Sequence, residues 1–519
     1  LAKNKHLILD VSVIIDLWLG SGSAEATEAL MDLAIENKAR LWIAASSIPI
    51  LDYVMRRALK RKGASPEEAG EIVPALMRDL MSVAGVLTNF GFDQQAIYQA
   101  ARDAEDAQIA AAGRSFNGVP VCVVSEDARF DTLDEIPVKT PAEALTWLYR
   151  ETADNPAPMP FIDLATQQAE LRSGIEQGIA RVLHHGRYIM GPEIKQLEQK
   201  LCEFVGTRQC ITCASGTDAL LMALMALDIG PGDEVITVPY TWISTAEVIS
   251  LLRAKPVFVD VRPDTFNLDP EKLEAAITPA TRAVMPVGLY GQCADMTGIN
   301  AIAQKHGIPV IEDAAQCFGA THHGQKACNL SVIGCTSFFP SKPLGGYGDG
   351  GAIFTPDDEL ADRMRQIRIH GQKVKHQHPL VGINGRLDTI QAAILIEKFA
   401  LFEEECALRA DVGRRYDALL ADVPGVRTPV VADGNTSLYA QYTILSKDRD
   451  ALSQKLKAAG IPSVAYYTAP LHLQGAFADL GHKPGDFPVS EQIAAQCLSL
   501  PMSPYLTEQE QQMVAKAMV

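Results

Sequence analysis

At 519 residues the chain is too long for a single compact domain and is expected to divide into about three or four. With 47% apolar and 21% charged residues it has the composition of a globular protein with large cores. Its net charge of -17 argues against a surface given over to nucleic acid. The opening apolar run is broken by Asp10 and Asp16, too short and too charged to cross a bilayer or to act as a signal peptide. Ten scattered cysteines form no disulfide framework, which predicts a reduced, cytoplasmic protein with no membrane partner. Cys210 and Cys213 make a CxxC with no second pair at zinc-finger spacing, and read as buried strand thiols.

Residues 1–150 read as one α/β unit. LILDVSVIIDLWL opens with a strand ending at Asp10, and helical patterns follow around 24–38 and 48–62, with a further helix opening at Pro66. VPVCVVSEDARF is a second apolar strand ending in Ser125, Glu126 and Asp127. Apolar strands alternating with helices predict a parallel sheet, and such sheets gather their sites at strand C-terminal ends, where Asp10 and Asp127 stand. Asp52 and Asp106 lie on helices whose faces are otherwise apolar. Four convergent carboxylates repel one another unless they hold divalent cations such as Mg²⁺ or Mn²⁺. Two such ions can activate water against a phosphodiester. The pieces LDVS, Asp52, EDA and SED resemble a PIN domain, a small metal-dependent ribonuclease fold, with Asp52 where that family more often has glutamate. The resemblance implies Asp10, Asp52, Asp106 and Asp127 as metal ligands and RNA as a partner. A PIN-like fold without nuclease activity is the alternative.

Residues 151–160, ETADNPAPMP, carry three prolines among small and polar residues and predict an extended linker. Beyond it, CASGTDALLMALMAL runs from a strand through Ser215-Gly216-Thr217 into an apolar helix, whose free amides and dipole make an anion site. DEVITVPYTWISTAEVISLL follows, with Trp242 at a strand–helix junction where an aromatic can stack on a flat ring. GIPVIEDAAQCFGA is a strand ending in Glu312-Asp313, an acid that needs a partner in a core. SFFPSKPLGGYGDGG sets Lys342 between an aromatic pair and a glycine-rich turn, where a desolvated amine can form an imine. In chain order, the phosphate-binding helix start, the aromatic, the aspartate and the lysine are the parts needed to hold pyridoxal 5′-phosphate (PLP).

From Phe161 to the C-terminus the chain resembles the DegT/StrS family of nucleotide-sugar aminotransferases. GPEIKQLEQKLCEFVG, CASGTDAL, LYGQCADM, EDAAQCFGA, TSFFPSKPLGGYGDGGAIFT, GINGRLD and LSLPMSPYL carry the likeness. It implies the aspartate-aminotransferase (fold type I) architecture: a PLP-binding large domain over 161–398 with a seven-stranded, mostly parallel sheet, then a smaller α/β domain over 399–519. It implies Lys342 as covalent anchor and acid/base, Asp313 on the pyridine nitrogen and Gln316 near the ring hydroxyl. Gly216, Thr217 and Ser337 would hold phosphate, and Trp242 would stack on the ring. Asn384 matches an asparagine that completes the phosphate site of a neighbouring subunit, so a homodimer with shared active sites follows. Lys342 also separates this chain from dehydratase members, which have histidine there. The motifs are most similar to enzymes of surface-polysaccharide synthesis that aminate C3 of a UDP-linked 2-acetamido-3-keto-glucuronate with L-glutamate as donor. A 4-keto hexose is the alternative substrate. Arg386 is suited to a substrate carboxylate, and Tyr467 would lie near the sugar, with Tyr466 where related enzymes read histidine.

Overall fold

A computed structural model describes residues 159–519 continuously and, before them, 6–9, 13–14, 40–44, 55–56, 65, 72–73, 84–87, 121–124 and 138–139. The chain forms two compact units, Leu1–Ala157 and Pro158–Val519.

In the first unit five strands, β1 (His6–Leu9), β2 (Arg40–Ala44), β3 (Ala84–Leu87), β4 (Val121–Val124) and β5 (Val138–Lys139), form one parallel sheet in the order β3-β2-β1-β4-β5. Their short apolar runs suit strands covered on both faces. The winding reverses between β1 and β4, whose register sets Leu9 opposite Val124. Crevices at such reversals are where open α/β sheets bind ligands. Asp10, Asp52, Asp106 and Asp127 lie outside the described residues, as do the helices expected over 24–38 and at Pro66 and most of 48–62.

The second unit begins with two helices, α1 (Leu164–His185) and α2 (Pro192–Val205). Asp163 caps α1 by accepting from Thr166 N at 3.0 Å, and Gly186 ends it in the left-handed region (φ 68°). There follow β6 (Gln209–Cys213), α3 (Gly216–Ala226), β7 (Glu234–Thr237), α4 (Ser244–Leu251), β8 (Lys255–Phe258), β9 (Thr281–Val284), α5 (Met296–His306) and β10 (Ile311–Asp313). A small hairpin, β11 (Thr321–His322) and β12 (Gln325–Lys326), precedes β13 (Ile333–Ser337) and β14 (Gly351–Thr355). Strands β8-β7-β9 and β10-β13-β14-β6 form two ladders. Parallel bridges Val284–Val310 and Val287–Asp313 join them, giving seven strands across one surface. Only β14 runs antiparallel to its neighbours within this surface.

Neighbouring residues on these strands enter different cores. Cys210, Ile236, Val284 and Phe354 pack in one cluster, while Ile211, Val235, Ala283 and Ile353 pack in the other. Side chains alternate along a strand, so the sheet is covered on both faces. Helix α3 is apolar nearly all round because it is itself buried: Ala219, Leu220, Met222, Ala223, Leu224 and Ala226 are all inside. Phe318 stacks on Phe354 (centroids 5.8 Å) and Phe402 (5.5 Å) and meets Phe338 edge-on at 6.3 Å. Each such ring stabilises the fold by roughly 1.5–3 kcal/mol through burial. The cluster also fixes Phe338, four residues before Lys342.

After α6 (Asp358–Ile367), a 32-residue helix α7 (Thr389–Leu420) runs unbroken through Phe399, where the smaller domain was expected to open. An antiparallel sheet follows, made of β15 (Val426–Arg427), β16 (Tyr442–Ser446) and β17 (Cys497–Leu500), packed with α8 (Arg449–Ala458) and α10 (Glu508–Met518). Helix α9 (Pro488–Gln496) precedes β17, and its start is held by Asp260, which accepts from Val489 N and Ser490 N. Among the described residues no helix is long and apolar enough to cross a membrane.

Candidate active site

The parallel strands end on one side of the sheet, and Gly216, Thr217, Trp242, Asp313, Gln316 and Lys342 follow or close those ends, whereas Asn384, Arg386 and Tyr467 come from later segments. Ser215, just after β6, caps α3 by accepting from Asp218 N at 3.0 Å. The first-turn amides of a helix lack intrahelical partners and carry partial positive charge. Gly216 lies so close to the end of β13 that a Cβ there would be 2.6 Å from Ser337 Cβ. Thr217 Oγ1 lies 2.8 Å from Ser244 Oγ, tying the start of α3 to the start of α4. Gly216 and Thr217 thus open α3 beside the end of β13 at Ser337, and a helix start of this kind suits a small oxyanion.

Asp313 ends β10, 6% exposed. Its Oδ2 accepts from Thr245 Oγ1 at 2.8 Å and its Oδ1 from Ala315 N at 3.3 Å. Burial raises its pKa, opposed by those hydrogen bonds and by the charge of Lys342. Burial likewise lowers the Lys342 pKa, with Asp313 pulling the other way. Desolvation wins at both, pushing each member of a nearby acid–base pair towards its neutral form.

The Lys342 turn is closed by its own backbone: Phe338 N donates to Gly350 O and Gly346 N to Phe338 O, both at 2.7 Å, and Lys342 N to Phe339 O at 2.8 Å. Helix α7 supports it, since Tyr347 N donates to Gln391 Oε1 at 2.9 Å.

Gln316 is buried, accepts from Tyr290 N at 3.0 Å and donates to Tyr467 Oη at 3.2 Å. Burial raises the Tyr467 pKa beyond that of an ordinary phenol, so the hydroxyl stays protonated. Tyr240 Oη accepts from Tyr467 N at 3.0 Å and lies 2.8 Å from Tyr290 Oη. The Trp242 ring stands 6.0 Å from that of Tyr467 and is 56% exposed.

Asn384 is exposed, on a segment where Gly385 O accepts from Ala214 N at 3.0 Å. Arg386 is half-buried, and its Nε is buried with no hydrogen-bond partner among the described residues. An unsatisfied guanidinium nitrogen of this kind suits an incoming carboxylate.

The structure thus gathers Gly216, Thr217 and Ser337 in one group, Asp313 with Lys342 in a second, and Gln316, Tyr467 and Trp242 in a third. Sequence reasoning missed Thr245, Ser244, Tyr240 and Tyr290. Thr245 had one available signal, since it follows Trp242 by three residues at the start of a helix that opens at a strand end. Among the described residues no group of three or more His, Cys, Asp or Glu side chains is arranged to hold a metal.

A model of the DegT/DnrJ/EryC1/StrS aminotransferase family matches residues 170–519. A UDP-2-acetamido-2-deoxy-3-oxo-D-glucuronate aminotransferase of Pseudomonas aeruginosa is 58% identical over 346 residues, 67% of this chain and 95% of that protein. The crystal structure of S. venezuelae DesV is 40% identical with TM-score 0.68, covering 69% of this chain and 97% of its own. That of NtdA from Bacillus subtilis, with bound cofactor PMP, is 30% identical with TM-score 0.65, covering 70% and 85%.

Proposed function

The chain belongs to the DegT/DnrJ/EryC1/StrS aminotransferase family, a family of PLP-dependent sugar aminotransferases, and from that premise we propose that it aminates C3 of a UDP-linked 2-acetamido-3-keto-glucuronate with L-glutamate as donor. The observation that carries the chemistry is a buried carboxylate, Asp313, held by Thr245 at the end of β10, with the Lys342 turn after β13 and the start of α3 on the same side of the sheet.

PLP fits the residues present. Gly216 approaches Ser337 so closely that any side chain there would crowd the start of α3, where the helix amides would meet phosphate. Asp313 is a buried acid placed where a protonated ring nitrogen could meet it, and Trp242 is a half-exposed aromatic. When bound, PLP supplies an aldehyde that takes up the amino group and a ring that accepts electrons. In this reading Gly216, Thr217 and Ser337 hold its phosphate, completed by Asn384 of a second copy, while Gln316 faces the ring hydroxyl. Asp313 holds a proton at the pyridine nitrogen. Lys342 anchors the aldehyde, and its Nζ, whose free-amine form burial favours, takes the proton from the donor α-carbon and later returns one to the sugar carbon that receives nitrogen. Arg386 pairs with a carboxylate of the uronate or of glutamate, and Tyr467 lies against the sugar.

The two half-reactions test this. Glutamate should bleach the visible band of the PLP-loaded protein, and a UDP-linked 3-keto uronate should restore it. Restoration by a 4-keto nucleotide hexose instead would move the substrate, and no response to glutamate would remove the donor.

For the first unit we propose a PIN-like ribonuclease, on the ground that β1 and β4, the strands before Asp10 and Asp127, are parallel neighbours. Asp10, Asp52, Asp106 and Asp127 would then hold Mg²⁺ or Mn²⁺. Mn²⁺-dependent RNA cleavage that is lost in Asp10→Asn is the expected result, and cleavage equal in both proteins would reject it.

A further inference from the structure

Of the nine described cysteines only Cys202 and Cys406 are not buried, and Cys202 stands beside a second thiol. Cys202 lies in the last turn of α2 and Cys210 near the start of β6, and the short turn over 206–208 sends the chain back between them. That turn is held to the helix by its amides, Gly206 N donating to Cys202 O at 2.9 Å and Thr207 N at 3.3 Å. A polar contact one turn earlier sets the register: Glu198 Oε1 accepts from Thr212 N and from Thr212 Oγ1, both at 2.9 Å. Glu198 and Cys202 are four residues apart on one face of the helix, and Thr212 and Cys210 two apart on one face of the strand. Four helical residues and two strand residues advance by similar lengths, about 6 and 6.7 Å. With Glu198 against Thr212, Cys202 therefore comes opposite Cys210, and both pack into the same core cluster.

The two thiols differ in character. The Cys210 thiol acts as donor to Cys202, and that contact lowers the Cys202 pKa against burial and the charge of Glu198. Burial holds Cys210 itself well above the ordinary thiol range, and pushes Cys406 up to about 12. A partly exposed sulfur that ionises readily beside a buried thiol has the make-up of a peroxide-reactive cysteine with its resolving partner. The amino-transfer chemistry uses neither residue, since Cys210 stands at the end of β6 away from Gly216.

We propose that Cys202 and Cys210 form a redox modification site, in which hydrogen peroxide oxidises Cys202 and Cys210 then closes a disulfide. The Cys202 thiolate attacks one peroxide oxygen: an S–O bond forms, the O–O bond breaks, and the leaving hydroxide takes up a proton to become water. The sulfur is oxidised by two electrons to a sulfenic acid, and the peroxide is reduced. Cys210 then gives up its proton and attacks that sulfur. The S–S bond forms, the S–O bond breaks, and the hydroxyl leaves with the proton as water. Two thiols and one hydrogen peroxide thus give one disulfide and two waters. The bond fastens the end of α2 to the strand that leads into Ser215 and Gly216, and an added thiol reverses it.

Peptide mapping without reductant tests the site, on full-length PLP-loaded protein treated with hydrogen peroxide. The peptides carrying Cys202 and Cys210 should be joined, two hydrogens lighter than their sum, and should separate again in dithiothreitol. Before oxidation, iodoacetamide should label Cys202 at least about tenfold faster than Cys406 at neutral pH. In Cys210→Ser the sulfenic acid should persist and be captured by dimedone, while Cys213→Ser, which spares the pair, should still form the bond. The map of the parent protein remains decisive if the Cys210 variant does not fold. Peroxide that leaves both thiols free, a bond from Cys202 to Cys213 or to a second copy, or labelling of Cys202 no faster than Cys406 would each overturn the proposal. No turnover is read, so failure here is distinct from failure of the amino-transfer reading.

Discussion

At the scale of single residues, the reactive pair is set by desolvation outweighing mutual attraction. Burial lowers the Lys342 pKa and raises that of Asp313, each against the electrostatic pull of the other. On the proposed reading, Lys342→Ala should lose the visible band and lower turnover by a factor on the order of 10²–10⁴ or more, since it removes anchor and base together. Thr245→Val removes one of the two hydrogen bonds that favour the Asp313 carboxylate. It should cost about 1 kcal/mol of that preference, and the pH–rate limb assigned to this acid should move to higher pH with PLP still bound. An unmoved profile would make Thr245 a packing residue. Lys342 and Asp313 were legible in the sequence because each is a polar residue at the end of an apolar strand. Thr245 was not, because its role arises only where the start of α4 meets β10, and those segments are 68 residues apart.

At the scale of elements, three junctions hold the site. Gly216→Ala would drive a methyl into Ser337 Cβ at 2.6 Å, so PLP affinity should fall at least about tenfold in equilibrium dialysis while the fold persists. Phe338→Ala would empty a fully buried position in the aromatic cluster and should cost about 3–5 kcal/mol in denaturant unfolding. Glu312 lies one residue before Asp313, 4% exposed, and accepts from the amides of Cys328 and Leu330 at 2.9 and 2.7 Å. Burial still raises its pKa to about 7 from 4.5. A folded pKa above the unfolded one gives stability that is complete below about 4.5 and is lost as pH rises through 7. The stability of Glu312→Gln relative to the parent should therefore improve by on the order of 3 kcal/mol between those values and stay level above them. A difference that does not vary with pH would reject this titration. The seven strands of the large sheet could be anticipated from their apolar runs. Their order could not, because β6 reaches its place only by pairing with β14, which lies far along the chain.

At the scale of the whole molecule, the proposed shared site makes a claim about two copies. If Asn384 completes the partner's cradle, mixing Lys342→Ala and Asn384→Ala proteins should restore activity, because each mixed dimer contains one intact site. Random exchange would return about a quarter of the parental rate. No recovery after mixing, with exchange verified, would place both residues in a single copy's site. Helix α7 continues across Phe399, where the smaller domain is expected to open, since a helix needs no loop where the layers on either side change.

That same helix has a mechanical meaning. At about 1.5 Å per residue its 32 residues form a rod nearly 50 Å long. Near one end Gln391 grips the amide of Tyr347 in the lysine turn. Towards the other, Val412 O accepts from Gln511 and Tyr416 Oη donates to Pro501 O, fastening the rod to the C-terminal layer. Such a rod resists bending over a few turns, so a tilt of the C-terminal layer is transmitted as a tilt at the lysine turn. The lysine and the C-terminal layer therefore move as parts of one lever.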